Sequence, residues 1–195
     1  MREYRAVQPD GEAVRAYRLK GRAMIDDHAL ALVSYDAAVA YAERVGKRLP
    51  TEWEYEFAAT RGGTQAFPWG NDSLRITQWT IGAVGTPEWD RLEGKPPVFG
   101  LYSNVAEWTS SWPVLYPQHA KAGLPSHQCN ASWRVVRGGP FSVIQGEPQR
   151  DEWMRGPRYR TLLLRQTWAP GLGFRCARSL APPLEAKDFS AALPE

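Results

Sequence analysis

Few side chains of this sequence combine the type and the spacing that metal or nucleophilic chemistry requires. The three histidines, His28, His119 and His127, are scattered, and the eight-position separation of the last two does not match a typical ligand spacing. The two cysteines, Cys129 and Cys176, are too far apart for a Cys-x-x-Cys pair and too few for a disulfide framework. Two free thiols are therefore favoured over one bridge, and exposed or hydrogen-bonded histidines over a metal site.

Arginine is concentrated in one part of the chain. Residues 134–178 contain nine arginines, no lysine and three acidic residues, which gives +6 for this part, whereas the whole chain carries +3 and the remainder therefore −3. Arginine without lysine favours oriented, multi-donor hydrogen bonding over a diffuse electrostatic surface. Nucleic acid is not favoured as a partner, because surfaces that contact phosphates usually carry lysines as well.

A first helix is predicted over residues 35–45. Ser34 is a good N-cap and Gly46 a good C-terminal stop. The apolar positions of this helix, which share one face and are expected to point inward, are Ala37, Ala38, Tyr41, Ala42 and Val45.

A second helix is predicted to begin after Thr51. Glu54 lies three residues beyond Thr51, and the two can form a capping box that satisfies two backbone amides reciprocally. Residues 61–63 (RGG) end this helix. The side chains expected to face inward are Trp53, Phe57 and Ala58.

The rest of the chain is predicted to form loops and short strands. Residues 1–28 are polar and are expected to contribute a strand or two, while residues 82–100 are rich in Gly, Pro and charge and are expected to form a long surface loop. The turn at 67–71 (FPWGN) carries an aromatic anchor. Alternating or apolar runs predict strands at 98–102, 105–109, 133–137 and 171–178.

Composition is typical of one globular domain of 195 residues, with 43% hydrophobic and 23% charged residues. Nine Trp, 17 Gly and 16 Pro indicate a loop-rich fold in which aromatic packing fixes irregular backbone. No apolar run is long enough to cross a bilayer, and residues 1–20 lack the apolar core of a signal peptide. A cytoplasmic protein without a membrane partner is therefore expected.

Four stretches in order resemble the sulfatase-modifying-factor family, whose best-known member is the formylglycine-generating enzyme. They are residues 48–59 (RLPTEWEYEFAA), 104–109 (NVAEWT), 134–139 (RVVRGG) and 171–178 (GLGFRCAR). The resemblance implies an α+β fold: an irregular, loop-rich variant of the C-type lectin fold with two helices and short antiparallel strands. It covers about residues 29–179, with 1–28 as a shortened lead-in and 180–195 as a tail.

The sequence departs from the family where the copper enzyme holds its metal. In that enzyme the first cysteine ligand comes four residues beyond the second Gly of the Arg-Gly-Gly motif, and the other five residues later. These positions fall here near Val143 and Pro148, which cannot supply the soft ligands that Cu(I) requires, and Cys176 lies in the terminal strand motif instead. Copper is therefore not expected, and no catalytic residue is assigned.

Two other metals occur in this family. Members similar to sulfoxide synthases hold iron with three histidines, largely from a separate helical domain that is not recognisable in this sequence. Calcium often binds at the 104–109 motif through a carboxylate and backbone carbonyls. Glu107 matches the carboxylate, but the segment before Asn104 is two or three residues shorter than usual, and this removes an upstream ligand. Calcium at Glu107 is the one cofactor that the resemblance leaves open.

Residues 140–170 fill the position of the family's active-site groove, which displays the ligand-binding residues in the related variable proteins of diversity-generating retroelements. Aromatic residues and arginines, typical of binding hot spots, are concentrated here. The alternative is that the guanidiniums bind loop carbonyls internally; Arg137 and Arg175, inside scaffold motifs, are assigned to structure. The candidate ligand-binding residues are Gln145, Glu147, Arg150, Trp153, Arg155, Arg158, Tyr159, Arg160 and Trp168.

Two functions are compatible with these features. The first is a non-catalytic recognition domain for a protein or a small anionic ligand, either a retroelement variable protein or a domain associated with a kinase or another effector. The second is a metal-dependent oxidoreductase of the formylglycine-generating or sulfoxide-synthase type, with an unrecognised or partner-supplied metal site.

Overall fold

The computed structural model describes residues 1–72, 82–86, 90–114, 130–139 and 156–180. Within these ranges the chain forms four helices followed by six strands. The helices are α1 (Arg2–Val7), α2 (Glu12–Leu19), α3 (Tyr35–Arg44) and α4 (Glu52–Ala59). The strands are β1 (Arg91–Leu92), β2 (Val98–Phe99), β3 (Ala106–Trp108), β4 (Trp133–Arg137), β5 (Thr161–Leu164) and β6 (Leu172–Phe174).

The first 28 residues contain two helices, so the expectation of strands there is wrong. In α2 the residues Ala13, Val14, Ala16 and Tyr17 are buried, which is the spacing of one helical face. Tyr4 of α1 packs in the same core as Ala13 and Val14. The lead-in segment is therefore part of the core, and its helical period is hidden in the sequence by the many charges between the apolar positions.

Helices α3 and α4 begin and end where the sequence predicts. The Ser34 hydroxyl accepts a hydrogen bond from the Ala37 amide (3.3 Å), and Gly46 ends α3 with a φ of +67°. In α4 the Thr51 hydroxyl accepts from the Glu54 amide (3.1 Å) while the Glu54 carboxylate accepts from the Thr51 amide (2.8 Å). The predicted capping box is confirmed.

The predicted inward face of α4 is wrong. Glu52, Tyr55 and Ala59 are the buried residues of this helix, whereas Phe57 is 49% exposed. Trp53 and Ala58 are only partly buried. The hydrophobic pattern misleads here because the helix places a glutamate in the interior, where arginines from distant parts of the chain bind it.

The main sheet has four strands in the order β5-β4-β3-β6. Strand β4 pairs antiparallel with both β3 and β5, while β3 pairs parallel with β6. Strands β1 and β2 form a separate two-stranded hairpin. Strand β1 lies inside the segment 82–100 predicted as a surface loop, whereas β2 falls within the predicted strand 98–102. The sequence predicted β4 and placed β3 and β6 within longer strands, but it missed β5, which lies in the proposed binding region.

The core is centred on Trp108 of β3. Its ring is fully buried, its indole nitrogen donates to the Val33 carbonyl (2.9 Å), and Tyr35 packs edge-on against it at 5.9 Å. Helices α1, α2 and α3 cover this face of the sheet through Tyr4, Val14 and further apolar residues of one cluster. None of the described helices combines the length and apolar character that crossing a bilayer requires.

Candidate recognition site and the ionic network beneath it

The segment 140–155, which follows β4, contains most of the predicted ligand-binding residues. The structure fixes both of its ends. At one end the Gly139 amide donates to the Tyr102 carbonyl (2.9 Å), and at the other Gly156 lies against the Phe67 ring. Lying outside the described residues are Gln145, Glu147, Arg150, Trp153 and Arg155, together with the copper-equivalent positions Val143 and Pro148.

Three aromatic rings form the base on which these two ends meet. Phe67 and Trp69 are stacked at 4.9 Å, and Tyr102 contacts Phe67 edge-on at 5.6 Å. Paired backbone hydrogen bonds between Phe67 and Gly70 close the 67–71 turn that carries the first two rings. Aromatic pairs in these orientations stabilise beyond their buried area, so the base is a rigid part of the molecule.

A buried ionic network lies beneath the same region. The Arg137 side chain is fully buried and donates to one carboxylate oxygen each of Glu52 and Glu56, at 2.9 Å in both cases. Arg160 also pairs with Glu52: its Nη2 donates to Oε1 (3.0 Å), and its Nε lies 2.7 Å from Oε2. Burial raises the pKa of the Glu52 carboxyl, and the two arginines oppose this rise.

The network also holds backbone. Arg137 donates to the Arg158 carbonyl, and Arg160 donates to the Val114 carbonyl at 2.9 Å. The guanidiniums thereby satisfy loop carbonyls that would otherwise lack partners. The chain leaving the 140–155 segment is thus bound to α4, and this internal use of arginines is the alternative that the sequence left open.

The described candidate residues do not form one cluster. Arg158 is the most accessible of the group near α4: its side chain is 54% exposed, it donates to the Gly63 carbonyl (3.3 Å), and its Nε lies 3.9 Å from Glu56. Tyr159 is partly buried, and Arg160 belongs to the network. Trp168 instead lies beside α2, where its ring faces the Lys20 ammonium at 5.5 Å. The structure therefore separates Trp168 from Arg158 and Arg160.

Sequence reasoning missed the contribution of Glu52 and Glu56 to this site. The available signal was the three glutamates of the short helix α4, Glu52, Glu54 and Glu56, in a chain whose later half is rich in arginine. Arg137 and Arg175, assigned to structure from the sequence, are both engaged in ion pairs.

Metal-binding groups are sparse in the part of the chain that the structure describes. That part contains no group of three His, Cys, Asp or Glu side chains that could hold an ion. His28 lies in an isolated bridge with Ala83, and Cys176 is a free, partly buried thiol whose pKa is raised by burial. His119, His127 and Cys129 fall outside the described ranges. Glu107, the residue matched to a calcium ligand, is bound by Arg175.

Gly138, next to the anchored Gly139, is packed tightly against Tyr55. Its φ is +69°, and a Cβ there would lie 2.3 Å from the buried Tyr55 hydroxyl, which donates to the Leu101 carbonyl (2.8 Å). We expect Gly138→Ala to lower the free energy of unfolding by about 3 kcal/mol, from the left-handed backbone and the displaced hydrogen bond together. Urea denaturation measures this loss.

Gly46→Ala is the matched control, because its φ is +67° but no atom lies within 4 Å of the added Cβ. In Gly46→Ala only the left-handed backbone conformation lowers the free energy of unfolding, by about 1 kcal/mol. Equal losses in the two variants would show that Tyr55 moves aside freely and that the packing around Gly138 is loose.

The comparisons with known proteins define the class of this chain. Residues 9–180 match the model of the Sulfatase-modifying factor enzyme 1-like domain, and the chain belongs to this family. The fold is the irregular C-type-lectin-like α+β fold of that family. The expected family and fold class are confirmed, with two helices more than expected.

Individual relatives include formylglycine-generating enzymes. The enzyme of Thermomonospora curvata is 41% identical over 174 residues, with 77% of this chain and 55% of the relative covered. The enzyme of Mus musculus is 34% identical over 179 residues, with 80% of this chain and 45% of the relative covered. The chain spans about half the length of these curated relatives.

Other relatives carry different names. The "Inactive C-alpha-formylglycine-generating enzyme 2" of Mus musculus is 33% identical over 171 residues, covering 78% of this chain and 50% of the relative. The serine/threonine-protein kinase pkn1 of Chlamydia pneumoniae is 31% identical over 183 residues, covering 85% and 27%. Among solved structures, Treponema denticola variable protein 1 superposes with a TM-score of 0.58 at 17% identity, covering 89% of this chain and 79% of its own.

Proposed function

We propose that this domain is a non-catalytic recognition module that presents residues 140–170 to a protein or a small anionic ligand. The observation that carries the proposal is the anchoring of both ends of the 140–155 segment. Gly139 and Gly156 are held against Tyr102 and Phe67, above the buried Arg137 network. A segment with fixed ends on a rigid base tolerates changes of its side chains, which suits a surface that recognises ligands.

The chemistry of the segment supports binding over catalysis. Val143 and Pro148 stand where the copper enzyme of this family has its cysteines, and neither side chain donates to Cu(I). Arginine and tryptophan, abundant between 150 and 168, supply oriented donors and contact area. Arg158, exposed at the edge of the base, is the described residue best placed to contact an anion.

The relatives support two forms of this role. One relative is named inactive. Another is a kinase, and the match covers 27% of the kinase's length. Both are compatible with a recognition domain attached to a signalling protein. The structural likeness to a variable protein supports the other form, a retroelement variable protein. That form requires a template repeat near the gene that differs from the coding region at adenines. A cytoplasmic location remains a prediction.

The alternative function is a metal-dependent oxidoreductase, favoured by the 34–41% identity to formylglycine-generating enzymes. It requires a ligand set from outside the described residues or from a partner protein. Two measurements distinguish the two functions: the copper and iron content of the protein after anaerobic reconstitution, and its oxygen consumption. Stoichiometric metal together with oxygen uptake would replace the recognition module by the enzyme.

Arg158→Ala and Trp153→Ala are expected to weaken binding by about tenfold or more, since each removes a hot-spot type of side chain. The ligand must be identified first. For this we would measure thermal shifts with a panel of small carboxylates and phosphates, and titrate the protein with the products of neighbouring genes. The loss of binding is then measured with that ligand. The melting temperature of Arg158→Ala should change little, because its ion pair with Glu56 is long and exposed.

Arg91→Ala is the control for this test. Arg91 is also an exposed arginine, but it lies outside residues 140–170 and is paired with Glu93 (3.0 Å). Equal loss of binding in this variant would indicate a general charge effect. A large fall in the melting temperature of Arg158→Ala would place that side chain in the scaffold.

A further inference from the structure

Arg175 lies at the centre of a set of oxygen atoms close to the family's calcium motif. Its Nε and Nη2 donate to the two carboxylate oxygens of Glu107, the Nη2–Oε1 distance being 2.9 Å. The same Nη2 donates to the main-chain carbonyls of Gly100 (2.8 Å) and Phe99 (3.1 Å). One carboxylate and two carbonyls around a cation is the type of ligand set that calcium takes in proteins.

The neighbouring turn between β2 and β3 is held together by the Asp90 carboxylate. Asp90 is buried, and its carboxylate accepts from the amides of Leu101 (2.7 Å), Tyr102 (2.8 Å) and Ser103 (2.6 Å) and from the Ser103 hydroxyl. Four hydrogen bonds to one carboxylate fix the turn strongly, since charge-assisted bonds are roughly twice as strong as neutral ones.

Asn104 completes this arrangement. It has a φ of +72°, and its side-chain amide exchanges two hydrogen bonds of 3.2 Å with the backbone of Gly82. Its side-chain oxygen is therefore engaged by a protein donor, as are the carboxylates of Asp90 and Glu107. The side-chain oxygens of Asp90, Asn104 and Glu107, which a hard cation would seek, thus already have partners.

Electrostatics also oppose a calcium ion here. The Glu107 side chain is only 6% exposed, so that charges near it are weakly screened by water. A divalent ion bound to Glu107 would stand beside the Arg175 guanidinium, and like charges at such distances repel strongly away from bulk solvent. The Glu107 carboxylate can therefore bind either a calcium ion or the Arg175 guanidinium, but not both at once.

We infer that the Arg175 guanidinium takes the place of a structural calcium ion at the 104–109 motif, so that this domain folds without calcium. Arg175 belongs to the terminal motif that the family shares, so the shortened segment before Asn104, held by Asp90, is the change by which this chain departs from members that bind calcium here. This role of Arg175 is independent of what the 140–170 surface binds.

The test compares the full chain with Arg175→Ala, using CaCl2 alone as the probe. For the unchanged protein we expect no heat of binding at millimolar CaCl2 and no change of melting temperature with CaCl2 or EDTA. Arg175→Ala leaves Glu107 buried without its cation and should melt at lower temperature. Calcium should restore part of this loss, with a Kd on the order of 10⁻⁴–10⁻³ M. Magnesium should restore less, because it demands octahedral geometry and retains its waters.

Arg165→Ala is a suitable control for the calcium test, since the side-chain hydrogen bonds of Arg165 within the described residues go to a carboxylate, that of Asp36, and not to backbone carbonyls. Its melting temperature should not respond to calcium. Stoichiometric calcium binding by the unchanged protein, with a rise in melting temperature, would overturn the inference. So would an Arg175→Ala protein that folds and ignores calcium. If that variant does not fold, the titration of the unchanged protein decides.

Discussion

Replacing Arg137 with methionine should lower the free energy of unfolding by about 3–5 kcal/mol, the cost of removing one partner of a buried charge. Of its two arginine partners among the described residues, Glu52 would then keep Arg160. Arg137 is fully buried, and Glu52, which it binds, is equally inaccessible. The substitution keeps much of the length of the side chain but removes the donors to Glu52, Glu56 and the Arg158 carbonyl. Chemical denaturation followed by tryptophan fluorescence measures the loss.

Arg158→Met provides the matched control, because its ion pair with Glu56 is 3.9 Å long and its side chain is largely exposed. A loss below about 1 kcal/mol is expected there. In the double variant Arg137→Met/Glu52→Gln the loss should be smaller than the sum of the two single losses, since the buried carboxylate that has lost Arg137 is no longer charged. Additive losses would contradict the network.

The loss in Arg137→Met should also depend on pH. Burial raises the pKa of Glu52, and Arg137 lowers it, so removing Arg137 moves the pKa further up. A carboxyl with a raised folded-state pKa favours the folded protein at low pH, and this contribution is lost as pH rises through that pKa. We therefore expect the destabilisation, measured by urea denaturation, to be smaller at about pH 5 than at about pH 8.

Trp108→Ala is the second large effect, with an expected loss of about 3–5 kcal/mol from the cavity and the lost contacts of a large core side chain. Trp108 is fully buried between the sheet and α3, and Tyr35 packs against its ring. Thermal and urea unfolding should agree on this value if the transition remains two-state.

Trp112→Ala is the control, because it removes the same type of side chain from a more exposed position. Trp112 is 50% exposed and stacks on the Arg134 guanidinium at 3.8 Å. Its loss should stay near about 1 kcal/mol. Trp108→Phe keeps most of the packing but leaves the Val33 carbonyl without its donor, for which about 1–3 kcal/mol is expected. Similar losses in the two alanine variants would mean that Trp108 is not the centre of the core.

The consequence for function is that stability and recognition can be changed separately in this domain. Arg137 and Trp108 belong to the scaffold, whereas Arg158 stands at the edge of the surface that we propose to bind ligands. Variants of the first group should unfold the protein, and variants of the second should alter binding at nearly unchanged stability.

The amino-acid sequence by itself determined the features that depend on near neighbours. The capping box of Thr51 and Glu54, the Ser34 cap and the Gly46 stop are contacts between residues at most a few positions apart, and all are present. The order of the family motifs likewise predicted the family and the fold class, both of which are confirmed.

Only the tertiary structure decided which face of α4 is buried and what the arginines do. Glu52 is inside because Arg137 and Arg160, 85 and 108 residues away, bind its carboxylate there. The helices α1 and α2 were missed because their apolar residues are few, and burial against the core stabilises them more than propensity does. Local signals carry no information about partners that the fold brings from distant parts of the chain, and those partners determine which charges this interior can hold.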